Sequence, residues 1–71
     1  MGKILDTHIE SEFIKLEQFL KLIDLVSSGG EAKLFIIDND ILVNNILEKR
    51  RGRKLYKDDQ ILINNQIYKI C

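Results

Sequence analysis

Along the first half of the chain the spacing of apolar side chains changes period. Ile9, Ser11 and Phe13 alternate with Glu10, Glu12 and Ile14, which predicts a short strand near residues 9–15. From Leu16 onward, Leu16, Phe19, Leu20, Ile23 and Val26 recur at the i, i+3, i+4, i+7 spacing that lines one face of a helix, so a first helix is expected over about 16–26. Ser27-Ser28-Gly29-Gly30 interrupts that pattern. Ser28 lies three residues before Glu31, the spacing of a capping box, and Ala32, Phe35 and Ile36 supply the apolar face of a second helix running to about Ile37. The polar run Asp38-Asn39-Asp40 ends it.

Beyond residue 40 the texture is strand-like. Ile41-Leu42-Val43, the turn-prone pair Asn44-Asn45 and Ile46-Leu47-Glu48 predict one hairpin. Gln60–Ile63, a turn over Asn64-Asn65-Gln66 and Ile67–Ile70 predict a second, with β-branched residues suited to a half-buried pleated surface. Residues 1–8 show no period and are expected to form an irregular lead-in to a single domain over 9–71. Two helices followed by two hairpins define an α+β domain in which a two-helix hairpin packs on a small sheet.

Length limits this chain of 71 residues to one small core. No stretch reaches the roughly 20 apolar residues of a membrane span, and the N-terminus lacks a basic region followed by an apolar run, so a cytoplasmic protein with no membrane partner is expected. The single cysteine, Cys71, closes no disulfide and belongs to no spaced metal cluster. The formal net charge of zero conceals an uneven distribution. Residues 1–48 hold four lysines against nine acids, whereas residues 49–71 hold seven bases against Asp58 and Asp59.

That second excess is concentrated between the two hairpins, in a basic loop carrying Lys49, Arg50, Arg51, Arg53, Lys54 and Lys57. Arginine's planar fork takes phosphate through two donors and stacks on an exposed base. Gly52 offers a sharp turn and a close backbone approach to a phosphate chain. A solvated basic loop is the plain alternative. Ser28, Gly29 and Gly30 form a second candidate anion site, since a helix start exposes free N–H groups, although Glu31 would fill part of it. Tyr56, within the basic segment, and Tyr68 are candidates for stacking on unpaired bases or for packing.

Catalytic arrangements are missing from the sequence. His8 has no implied nucleophile or carboxylate beside it, Asp38 and Asp40 lack a third metal ligand, and Gly29-Gly30 lacks the flanking residues of a nucleotide-phosphate loop. No enzyme activity, cofactor, metal or small-molecule substrate is expected. A protein-interaction adaptor docking an acidic partner through the basic loop is the alternative to nucleic-acid binding.

The order Leu16-Glu17-Gln18-Phe19-Leu20-Lys21, Ser27 to Lys33, Leu42-Val43-Asn44-Asn45, Arg51-Gly52-Arg53-Lys54-Leu55 and Asp58-Asp59-Gln60-Ile61 resembles the S-four RNA-binding domain, and within it the small free-standing YaaA-like proteins of bacteria. The similarity covers about residues 12–70. The resemblance implies the alpha-L motif, a helical hairpin on a mainly antiparallel sheet, with structured RNA, ribosomal RNA above all, held by the second helix and the adjoining loop. By position it implies RNA contacts at Lys33, Arg50, Arg51, Arg53 and Lys54, with further candidates at Lys49, Tyr56, Lys57, Ser28, Gly29 and Gly30. It implies a role in ribosome assembly or function, with a monomer expected. Two departures stand out: Gly30 or Glu31 replaces an arginine common at the second helix start, and Asn45 stands where a glycine is usual.

Overall fold

A computed structural model describes residues 3–71. In chain order the elements are β1 (Ile4–Thr7), β2 (Phe13–Lys15), α1 (Leu16–Leu22), α2 (Gly29–Asp38), β3 (Ile41–Val43), β4 (Ile46–Leu47), β5 (Lys54–Tyr56), β6 (Gln60–Ile63) and β7 (Gln66–Ile70). Five strands form one sheet in the order β1-β7-β6-β3-β4, and β2 pairs with β5 in a separate two-stranded ribbon. Every pairing is antiparallel except that of β1 with β7. The α+β architecture with a mainly antiparallel sheet is therefore as expected.

The core forms where the helix faces meet one face of the sheet. Leu16, Phe19, Leu20, Ala32 and Ile36 from the helices are buried with Ile41, Val43, Ile61, Ile63 and Ile70 from the sheet and Leu55 from the ribbon. Phe19 also meets Tyr68 edge to face, with ring centroids 5.6 Å apart, so Tyr68 is a packing residue. Each hairpin of the sheet turns through two asparagines at positive φ: Asn44 (51°) with Asn45 (70°), and Asn64 (50°) with Asn65 (67°). Asparagine tolerates this left-handed geometry, which makes a two-residue turn match strand twist. Asn45 thus supplies the left-handed conformation at the place where the resemblance leads one to expect a glycine.

Three expectations change. The lead-in is not irregular throughout, because Ile4–Thr7 runs parallel to β7 in the register Ile4↔Ile67 to Thr7↔Ile70. Thr7 O and Ile9 N–H then bond to the two backbone groups of Cys71, at 2.8 and 3.1 Å. The first strand of the ribbon begins at Phe13 rather than Ile9.

The first helix stops at Leu22 rather than Val26. Asp24 adopts φ 64°, its N–H bonds to Lys21 O, and Leu25 N–H bonds to Leu20 O, both at 3.1 Å. This paired bonding around a left-handed residue is a Schellman termination. Val26 remains buried, but after the chain has turned.

Candidate nucleic-acid interface

The basic segment is not a uniform loop. Residues 48–53 connect β4 to β5, and Lys54 and Tyr56 belong to β5, so one of the six predicted cations, with the tyrosine, lies on a paired strand. The connection closes by a turn in which Arg53 N–H bonds to Arg50 O at 3.3 Å. It is docked on the start of α1: Leu16 N–H donates to Arg53 O (2.8 Å) and Glu17 N–H to Arg51 O (3.0 Å). Two otherwise unpaired N–H groups of the helix start are satisfied this way, and the basic turn is fixed relative to the helical pair.

At its centre is a residue that sequence reasoning passed over. Glu48 is buried, and its carboxylate accepts hydrogen bonds from the N–H groups of Lys49 and Arg50, from Arg50 Nε (2.9 Å) and Nη2 (3.0 Å), and from Arg53 Nη1 (2.8 Å). Arg50's side chain is the largest influence holding the carboxyl down to about 2, with Arg53 adding to it, against the opposing effect of burial. Two guanidinium groups three residues apart in sequence are thereby anchored on one anion. Arg53 also donates from Nε to Lys54 O at 3.3 Å. A lone acid beside six cations was the available signal.

The remaining predicted residues separate by what they touch. Lys49 Nζ donates to the carbonyls of Ile36 (3.0 Å), Ile37 (3.4 Å) and Asn39 (3.0 Å) and lies 3.9 Å from Asp40. It caps the C-terminal end of α2, which carries no basic residue in its own last turn. Arg51 and Lys57 are exposed, as is Lys33 on α2. Lys54 Nζ sits 4.8 Å from the centroid of the Phe13 ring. Tyr56 is exposed by 44% and meets Phe13 at 5.9 Å between ring centroids.

Gly52 does not have a positive φ, and a Cβ there would meet nothing within 4 Å, so the turn itself does not require glycine. Ser28, Gly29 and Gly30 form the start of α2, where Ser28 Oγ accepts from Glu31 N–H at 3.1 Å. The Glu31 carboxylate accepts from the Ser27 N–H and hydroxyl, and these bonds lower its pKa. The capping box therefore closes one residue earlier than its simplest form, and the helix start already faces its own carboxylate.

Asp59, in the acidic turn before β6, binds across the fold. Its carboxylate accepts from Tyr56 N–H (2.8 Å) and from Asn44 Nδ2 (3.0 Å), while Asn44 Oδ1 accepts from Gln60 N–H. The β3–β4 turn, β5 and β6 are fastened together at one point. Among the described residues no group of three or more His, Cys, Asp or Glu side chains is arranged to hold a metal ion, and no helix is long and apolar enough to cross a membrane.

Comparison with known proteins adds to this geometry. The chain matches the S4 domain family over residues 7–71. It is also 51% identical over 55 residues to the probable ribosome maturation protein RlbA of Bacillus subtilis (strain 168), an alignment covering 78% of each chain.

Proposed function

The chain belongs to the S4 domain family, and from that premise we propose that it binds structured RNA without catalysis, ribosomal RNA above all, in the maturation of the ribosome. The observation that carries this reading is the basic turn between β4 and β5, with Arg50 and Arg53 anchored on buried Glu48 and the backbone docked on α1. Arg50, Arg51, Arg53 and Lys54 supply the main phosphate contacts, and Lys33 on α2 supports them. Lys57 flanks this surface, whereas Lys49 serves the end of α2. The ribosome-maturation role described for the similar Bacillus protein fits such a surface. Phosphate contacts fix the position of a protein on RNA, and selectivity comes from the shape of the folded RNA.

Binding to a ribosomal RNA fragment, measured at several salt concentrations, tests the proposal. With about four phosphates engaged, the logarithmic slope should be roughly −3 to −4. The informative variant is Arg51→Ala with Lys54→Ala, because removal of Arg50 and Arg53 would strand Glu48 and confuse unfolding with lost contact. Affinity should fall with the fold intact. A slope near zero, or unchanged affinity in the double variant, would refute the RNA reading. Partners that survive ribonuclease treatment would favour an adaptor role instead.

A further inference from the structure

The outer face of the β2–β5 ribbon joins aromatic and cationic groups that lie far apart in sequence. In the register Phe13↔Tyr56, Ile14↔Leu55 and Lys15↔Lys54, alternation sends Leu55 into the core and leaves Phe13, Lys15, Lys54 and Tyr56 on one face. Beside them is an open cleft of about 490 Å³, lined by Arg50, Gly52, Arg53, Lys54 and Tyr56. That volume lies in the range of about 300–1,000 Å³ typical of small-ligand sites. One wall is a half-exposed tyrosine ring backed by Phe13. The other walls hold three cations, two of them pinned by Glu48.

We propose that this cleft seats a single unpaired nucleotide of the bound RNA, its base stacked on Tyr56 and its phosphate held by Arg50 and Arg53. This inference rests on the RNA-binding reading and adds the class of nucleotide that the site takes. A paired duplex offers phosphates but no free base face, so a purely electrostatic surface would leave Tyr56 without a role in binding. A nucleotide displaced from its helix offers both a π-face and a phosphate, the combination that these side chains match. Lys54, above the Phe13 ring, places a further charge at the edge of the aromatic pair. Gly52 keeps the rim clear: a Cβ there meets nothing, and a larger side chain would stand in the entrance.

The test compares two hairpin RNAs that differ only in one bulged adenosine. Wild-type protein should prefer the bulged hairpin about 5- to 150-fold, the range set by stacking one base on an aromatic side chain. Tyr56→Ala and Tyr56→Leu should abolish the preference while retaining affinity for the paired hairpin, and Tyr56→Phe should keep it. The leucine variant preserves apolar contact with Phe13, which separates stacking from packing. Equal affinity of wild type for both hairpins, or a parallel loss for both in Tyr56→Leu, would overturn the nucleotide seat alone. Failure of wild type to bind either hairpin or a ribosomal RNA fragment would overturn the RNA-binding reading with it.

Discussion

Glu48 shows how one buried anion holds two of its six neighbouring cations in place. Its buried carboxylate is matched by two guanidinium groups and two backbone N–H groups, so the anion is fully paired. Because its folded-state pKa is depressed to about 2 from an ordinary 4.5, the stabilisation is fully present above about pH 4.5 and is lost as the pH falls toward 2. Glu48→Gln should cost about 1.5–3 kcal/mol at neutral pH, the range for hydrogen bonds to a charged group, and should flatten the acid limb of stability. Urea unfolding of both proteins at pH 7 and pH 3 would measure this; equal destabilisation at the two pH values would show that the charge is not the cause. The sequence revealed the cations by composition alone, since charge density is a local property. It concealed the anion because burial of Glu48 is a consequence of the fold.

At the scale of elements, most of the fold was legible wherever a segment buried a regular face. The second helix and both hairpins appear within a residue or two of their expected places because capping Ser28 and the paired asparagines encode their own turns. Short elements escaped. β5 has one inward apolar residue, Leu55, between two exposed ones, too brief for a period to emerge within a charged run. β1 was silent because it is an edge strand with little buried surface. The first helix was overextended for a different reason: Val26 preserves the helical spacing of buried residues although the chain has already reversed at Asp24. Apolar period reports burial, not continuity of backbone. Because Asp24 holds a left-handed conformation that glycine adopts without steric cost, Asp24→Gly should stabilise the domain by about 0.5–1 kcal/mol. That corresponds to a rise in melting temperature of roughly 2–8 °C for a domain of this size. Thermal unfolding would check it, and a lowered midpoint would mean that the aspartate side chain contributes more than its backbone costs.

For the whole molecule, the linear charge map suggests an acidic half and a basic half, but the sheet interleaves them. The order β1-β7-β6-β3-β4 places two strands from the basic half between strands from the acidic half. Lys69 pairs in register with Asp6 and lies 3.8 Å from Asp58. What remains concentrated after folding is the turn between β4 and β5, and even there the cations divide their labour. Lys49 is committed to the carbonyls at the end of α2, whereas the Arg51 side chain is exposed and only its backbone joins the fold. Folding and binding should therefore be separable at two residues only two positions apart. Lys49→Met should lower stability by about 1 kcal/mol, as expected for loss of a cation at a helix C-terminus, and leave the salt dependence of RNA binding unchanged. Arg51→Ala should alter stability by less than about 0.5 kcal/mol yet reduce the steepness of the salt dependence by about 0.7–0.9, the share of one phosphate. Urea unfolding paired with salt titration of RNA affinity measures both quantities on each variant. If Lys49→Met shifted the salt slope and Arg51→Ala did not, the ammonium would have to leave the helix end on binding, and the division between a structural lysine and a binding arginine would be reversed.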